Sequence, residues 1–277
     1  MIPMLLLACL CLQQPATAPA DFDSIILGTS DKHVLVIPHD ACPLDGKIDV
    51  FVQLKGSPAR VHGAMRENRI NAIAIVVTDP GLSRAYSGPF SDPELLQKMI
   101  DESFERLRQR DGFANASPGR LSIGSFSAGY AAVRELLRHD RWFDRIDGLY
   151  FQDSIYAGYV SETDKTVQPE QMAGFIRFAR AAAEGKKTMI LTHTKLTPGS
   201  YASTWETADV ILDALQLEPQ PIEPPVEIAD GLLKYREVKR FGFLLIGTTG
   251  EDGPEHGRHL AHMTLFLGKL PLAKHPD

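Results

Sequence analysis

Ser127 stands in a short segment whose small residues suit a reactive side chain on a tight turn. The segment reads Ser125-Phe126-Ser127-Ala128-Gly129, with a small residue two positions before the central serine and another two positions after it. In a turn sharp enough to expose a serine, bulky residues at those two positions would clash. A serine so placed can attack an acyl carbonyl, and a helix starting behind it would stabilise the oxyanion. The pattern predicts Ser127 as a nucleophile.

The flanking sequence predicts the strand and the helix that such a turn requires. Residues 121–125 form an apolar run that ends just before Ser127, and residues 128–137 follow a helical, alanine-rich pattern. The structural alternative is an ordinary strand-to-helix turn in which the serine caps the helix.

Strand and helix patterns alternate along most of the chain. Strands are predicted at 33–37, 48–54, 73–77, 121–125, 146–152, 188–192 and 241–246. Helices are predicted at 93–108, 128–137, 169–184, 204–216 and 257–269. The proline-rich connection at 219–225 is too irregular for either element. The alternation predicts one α/β domain with a mostly parallel, helix-covered sheet.

On the segment Ser125–Gly129 and this chain order, the sequence resembles the α/β-hydrolase superfamily from about Ile48 to Leu270. The resemblance implies an α/β-hydrolase fold with about eight mostly parallel strands and helices on both faces. It also implies a catalytic triad in the chain order serine, acid, histidine. Ser125 stands where the superfamily usually has a glycine.

A base for the serine is expected after the last predicted strand, where three histidines lie close together. His259 is the preferred candidate, because it sits at the predicted junction of loop and helix after the turn 248–254. His262 and His256 remain as alternatives.

The acid that orients this base is expected at the carboxyl edge of the sheet. Asp153 comes directly after the predicted strand 146–152 and is preferred. The more usual superfamily position, after the strand 188–192, has no carboxylate. Glu206 and Asp209 are the alternatives, although Glu206 belongs to the capping-box pattern Ser203-x-x-Glu206.

The resemblance implies an oxyanion hole built from two backbone N–H groups. One is expected from Ala128 and the other from Gly56 or Ser57, in the loop after the strand 48–54. Lys55 stands where the superfamily often has a histidine, so this loop departs from the superfamily pattern.

Two other functions are consistent with the sequence. His256, His259 and His262 could serve a metal-dependent hydrolase, although at helical spacing their side chains spread over about 120°. A hydrolase-like binding protein without catalysis is the other. The leading hypothesis is a serine esterase acting on a small or acylated substrate, with no cofactor and no metal.

The composition limits the classes of binding partner, and the N-terminal sequence predicts export. The chain has 277 residues with a formal net charge of −6, which gives no electrostatic footprint for nucleic acid. Residues 4–12 are apolar but too short to span a bilayer, and small residues at 18–20 predict signal-peptide cleavage before Asp21. The expected organisation is a signal peptide at 1–20 and one domain at 21–277. No Lys or Arg precedes the apolar run, and Leu6-Leu7-Ala8-Cys9 also resembles a lipoprotein signal, the less favoured reading.

Overall fold

A computed structural model of the chain describes residues 21–28 and 30–275. Within them, one ten-stranded sheet runs through the molecule. The strands are β1 (Phe22–Ile26), β2 (His33–Pro38), β3 (Lys47–Leu54), β4 (Ala72–Val77), β5 (Ser117–Phe126), β6 (Ile146–Gln152), β7 (Thr188–His193), β8 (Gln220–Ala229), β9 (Leu232–Arg240) and β10 (Phe243–Thr248).

The strand order is β1-β2-β4-β3-β5-β6-β7-β10-β9-β8. Every pairing from β4 across to β10 is parallel, and the pairings outside this centre are antiparallel. The sheet is therefore mixed, with a parallel centre. Because parallel strands end at the same edge, the loops after β3, β5, β6, β7 and β10 meet at one side of the molecule.

Helices cover both faces of the sheet. They are α1 (Pro58–Glu67), α2 (Ser83–Phe90), α3 (Leu95–Arg108), α4 (Tyr130–Leu136), α5 (Asp140–Arg145), α6 (Pro169–Ala183), α7 (Thr204–Leu215), α8 (Gly253–Ala261) and α9 (Thr264–Leu267). Alternate strand residues supply two cores: Val50 and Val52 pack in the layer that holds α3, α4, α6 and α7, whereas Phe51 packs with α1 and α9. β4 is buried along its whole length, as a central parallel strand requires.

The predicted α/β class is confirmed, and the structure adds strands at both ends of the sheet. The proline-rich connection, predicted to be irregular, belongs to β8, which pairs with β9 in an interrupted register. Pro221, Pro224 and Pro225 lack an N–H group, and such residues are tolerated on an edge strand. β1 was also not predicted; it pairs antiparallel with β2 at the opposite edge.

None of the helices formed by residues 21–28 and 30–275 has the length and apolar character needed to cross a membrane. The predicted signal peptide at 1–20 lies outside the described residues.

Candidate active site

Ser127 lies where the central strand β5 turns sharply into a helix. A single 3₁₀ turn, Ser127–Gly129, separates β5 from α4. The φ of Ser127 is 51°, in the left-handed region that residues other than glycine rarely adopt. A Cβ added to Gly129 would lie 2.6 Å from the carbonyl oxygen of Leu54, so only glycine fits against the end of β3. The turn thus holds Ser127 in the strained conformation expected of an exposed nucleophile.

The small residue before the serine ties this turn to the loop after β6. Ser125 is fully buried, and its hydroxyl lies 2.8 Å from the hydroxyl of Ser154. Ser154 Oγ donates to the carbonyl oxygen of Ser127 at 2.7 Å, so Ser125 is the donor in the first bond. A side chain larger than serine at position 125 would break this link.

Asp153 follows β6 directly and is fully buried. Its carboxylate accepts hydrogen bonds from the backbone N–H and the hydroxyl of Thr194, both at 2.9 Å, and from the hydroxyl of Thr204. Burial alone would raise the pKa of Asp153. The hydrogen bond from His256, the charges of His256 and His259 and the Thr204 hydroxyl together hold that pKa below its usual range. Asp153 is therefore an ionised carboxylate inside the protein.

His256 is the partner of this carboxylate. Its Nδ1 lies 2.7 Å from Asp153 Oδ2, and because an ionised carboxylate only accepts, Nδ1 carries the proton. The ring stacks on Phe126, the residue before Ser127, with 4.6 Å between the ring centroids. Its other nitrogen, Nε2, is left as a base, and His256 lines the same cavity as Ser127. No hydrogen bond joins Ser127 to His256 among the described residues; in unliganded enzymes such bonds are often long.

The preferred base of the sequence analysis, His259, lies elsewhere. Both of its ring nitrogens are bonded, Nδ1 to the hydroxyl of Thr192 at 2.7 Å and Nε2 to the hydroxyl of Thr248 at 3.0 Å. Burial lowers the pKa of His259 to about 4. Both ring nitrogens of His259 are thus engaged, whereas His256 is bonded to Asp153 and lines the cavity of Ser127, which makes this alternative the better candidate for the base. His262 lies at the C-terminal end of α8.

The other candidate acids have structural partners. Glu206 closes the predicted capping box with Ser203 at the start of α7 and accepts a hydrogen bond from Tyr159 at 2.8 Å. Asp209 forms an ion pair with Arg236 at 2.6 Å. Neither is bonded to a histidine of the site.

Ala128 and Gly56, the two predicted oxyanion donors, line different cavities. Ala128 lines the cavity of Ser127, whereas Gly56 lines one with Lys55 and Thr78. The N–H of Lys55 donates to the Val77 carbonyl at 2.7 Å, and the Thr78 hydroxyl donates to the Gly56 carbonyl at 2.5 Å, so the loop after β3 is bonded to the end of β4. The N–H of Gly56 stays a predicted second donor.

A cavity of about 650 Å³ opens beside Ser127. Its lining is mostly apolar and aromatic and contains no acidic residue: Leu82, Ser83, Ser127, Ala128, Tyr130, Arg134, Tyr156, Ala157, Gly158, Gln171, Leu196, Pro198, Tyr201 and His256. Its size suits a small-molecule substrate.

The three histidines of the metal hypothesis do not converge. His256 points to Asp153, and His259 lies between two threonine hydroxyls. Over residues 21–28 and 30–275, no group of three or more His, Cys, Asp or Glu side chains is placed to hold a metal ion.

Comparison with known proteins finds similarity in structure alone. No protein-family model and no curated protein sequence matches the chain. Similar solved structures include the enterochelin esterase of Shigella flexneri, with a TM-score of 0.50 and 11% identity over 91% of this chain and 59% of that one. Others are a poly(3-hydroxybutyrate) depolymerase from Bordetella parapertussis (TM-score 0.46, 11% identity, 92% and 91% covered) and a cold-adapted esterase from an Arctic intertidal metagenomic library (0.44, 10%, 86% and 86%).

The strand order, the parallel centre of the sheet and the similarity at a TM-score of 0.50 agree with one another. The chain has the α/β-hydrolase fold.

Proposed function

We propose that the chain is a serine hydrolase that cleaves an ester through Ser127, His256 and Asp153. One observation carries the proposal. Ser127, held at a φ of 51°, opens onto the cavity that His256 also lines, while the far side of the His256 ring is bonded to a buried carboxylate. This is the arrangement that activates a serine hydroxyl.

In the proposed reaction, the Ser127 hydroxyl oxygen attacks the ester carbonyl while His256 Nε2 takes the hydroxyl proton. The tetrahedral intermediate collapses as His256 returns that proton to the leaving alcohol, which gives an acyl-enzyme on Ser127. Water then attacks the acyl carbonyl while His256 Nε2 takes one of its protons. His256 returns that proton to the Ser127 oxygen as the bond to the acyl group breaks, and the acid product leaves.

Asp153 supports both steps without gaining a proton. Its ionised carboxylate holds Nδ1–H of His256 and thereby keeps Nε2 free to accept. It also stabilises the imidazolium that forms when His256 takes the proton. Thr194 and Thr204 fix the carboxylate in place. The oxyanion would receive the N–H of Ala128 at the start of the helical segment.

The fold similarity to the enterochelin esterase agrees with ester cleavage. The cavity also fits this reaction, since it is large enough for an acyl or alcohol group beside the serine.

A fluorophosphonate probe tests the proposal. The wild-type protein should be labelled at Ser127, and Ser127→Ala should lose both the label and the hydrolysis of 4-nitrophenyl butyrate. Ser161→Ala, in an exposed loop, is the matched serine control and should behave as wild type. If folded wild-type protein takes no label and cleaves no ester, the proposal fails. Activity that survives Ser127→Ala but is lost with a chelator would favour the metal mechanism instead.

Export of the protein stays a proposal as well. β1 begins at Phe22, so a mature chain starting at Asp21 would keep every described strand. N-terminal sequencing of the protein secreted by its host measures the cleavage site directly, and an uncleaved N-terminus would contradict it.

A further inference from the structure

We propose that Arg134 binds a carboxylate of the substrate, so that the enzyme prefers esters that carry a negative charge near the cleaved bond. The inference rests on the proposed function, because it takes Ser127 as the point of reaction.

Arg134 lies on the helix that follows the serine, on the side that faces the cavity. It is seven residues after Ser127, about two helical turns or roughly 10 Å along the axis. Helical side chains lean toward the N-terminus, which brings the guanidinium back toward Ser127. Both residues line the one cavity. A group held by Arg134 would therefore be part of a molecule whose carbonyl reaches Ser127.

The guanidinium of Arg134 is only partly satisfied by the protein. Nη1 donates to Oε1 of Gln171 at 3.0 Å, and that oxygen also accepts the N–H of Gly158 at 2.9 Å. Nε is buried and has no hydrogen-bond partner among the described residues. A buried donor without a partner is costly, so its presence calls for an acceptor.

Charge in the cavity points to the kind of acceptor. Among the described residues that line the cavity, Arg134 is the one Lys or Arg, and none is Asp or Glu. Within residues 21–28 and 30–275, no carboxylate forms an ion pair with it. An arginine keeps its charge at all ordinary pH values, and its planar group fits a carboxylate through two parallel hydrogen bonds.

Tyrosines line the cavity near Arg134. The guanidinium lies over the ring of Tyr130, with 5.4 Å from its carbon to the centroid. Tyr130 packs edge-on against Tyr156 at 5.6 Å, and Tyr156 against Tyr201 at 5.6 Å. Burial raises the pKa values of Tyr130 and Tyr156, so their hydroxyls stay neutral and add no negative charge. The surroundings of the guanidinium therefore favour an anion with an apolar stem.

Matched esters test the inference. Hydrolysis of the 4-nitrophenyl monoesters of succinate, glutarate and adipate is compared with that of the same compounds carrying a methyl ester in place of the free carboxylate. Wild-type kcat/KM should favour the free acids, with an optimum at one chain length. The ratio of kcat/KM, free acid over methyl ester, should fall about 10- to 100-fold in Arg134→Gln, as expected for a lost hydrogen bond to a charged group. Butyrate esters of hydroxy acids, with and without a methyl cap, show whether the charge belongs on the alcohol side.

The control for net charge is Arg138→Gln, four residues further along in the turn after α4 and 62% exposed, where the ratio should stay at the wild-type value. Arg134→Lys should keep part of the preference for free acids, because lysine retains the positive charge but lacks the planar guanidinium with two parallel donors. A wild-type ratio of one or less in both series overturns the inference even if Arg134→Gln does not fold. An equal loss of both rates in Arg134→Gln also overturns it. If wild type cleaves no ester at all, the proposed function fails, and calorimetry of glutarate against its dimethyl ester then tests the anion site by itself.

Discussion

Replacing His256 and His259 one at a time separates the base from the buried histidine one helical turn away. His256→Ala removes the nitrogen that we propose takes the serine proton, and losses of a catalytic histidine reach about 10⁴-fold or more in kcat. Thr194 and Thr204 still hold the Asp153 carboxylate in this variant, so the main cost should be to the rate.

His259→Ala should instead act mainly on stability. It removes a partner of two buried hydroxyls, those of Thr192 and Thr248, and leaves a cavity where the ring was. Each hydroxyl keeps a carbonyl partner, Phe151 for Thr192 and His193 for Thr248, so the variant loses two hydrogen bonds worth about 0.5–1.5 kcal/mol each. With the cavity, the free energy of unfolding should fall by roughly 3–5 kcal/mol. Because Thr192 also accepts the N–H of Asp153, some rate is lost too, but less than in His256→Ala.

Urea unfolding followed by tryptophan fluorescence measures the free energy of unfolding. Initial rates on 4-nitrophenyl butyrate, calculated per folded molecule, measure the loss of activity. His259→Gln, which keeps a donor and an acceptor, should recover part of the lost stability. A folded His259→Ala protein that is as inactive as His256→Ala would refute the assignment. So would a His256→Ala protein that keeps the wild-type rate.

Three further predictions concern the acid, the pH dependence of stability and the turn. Asp153→Asn should lower kcat by about 10⁴-fold, because the amide no longer holds the imidazole in the required tautomer. Ester kinetics at neutral pH measure this, and an unchanged kcat would exclude Asp153 from the proposed mechanism. Burial lowers the pKa of His259 to about 4 and that of His193 to about 3, from 6.5, so the unfolded chain binds more protons at intermediate pH. The free energy of unfolding should therefore rise as the pH rises from about 3 to 6.5, by about 3 kcal/mol from His259 alone. Urea titrations at several pH values measure it, and a free energy of unfolding that does not change over this range would contradict the prediction. Gly129→Ala should lower the free energy of unfolding by about 1–3 kcal/mol, because the added methyl group clashes with Leu54, whereas alanine usually stabilises a helix. An increase in the melting temperature of this variant would contradict the packing described.

The parallel centre of the sheet could be predicted because each of its strands is a short apolar run in the sequence. β4 and β10 are examples, being buried throughout. The edge strands could not be predicted, because an edge strand has a neighbouring strand on one side only and tolerates proline. β8 and β1 are such strands, and neither shows a period that distinguishes it from a loop.

The preference for His259 depended on where α8 begins, and the structure differs from the prediction at that point. The sequence prediction began this helix near residue 257, which made His259 its first histidine. Asp252 caps the helix by accepting the N–H of Glu255 at 2.9 Å, and Pro254 lies in the first turn. Asp followed by Pro at this spacing is a helix-start signal, and it would have placed His256 in the first turn, nearest the sheet edge. Thr194 follows β7 and Thr204 begins α7, so the two residues that hold Asp153 come from separate parts of the chain and carry no local signal.

The three prolines of β8 have a consequence for how the protein meets its own copies. An outermost strand is a template on which another chain can add a strand, and each added strand needs N–H groups to donate. At Pro221, Pro224 and Pro225 there are none. The molecule can therefore be concentrated with less tendency to join sheet to sheet at this edge. A change of these prolines to threonine would favour self-association without touching the cavity beside Ser127.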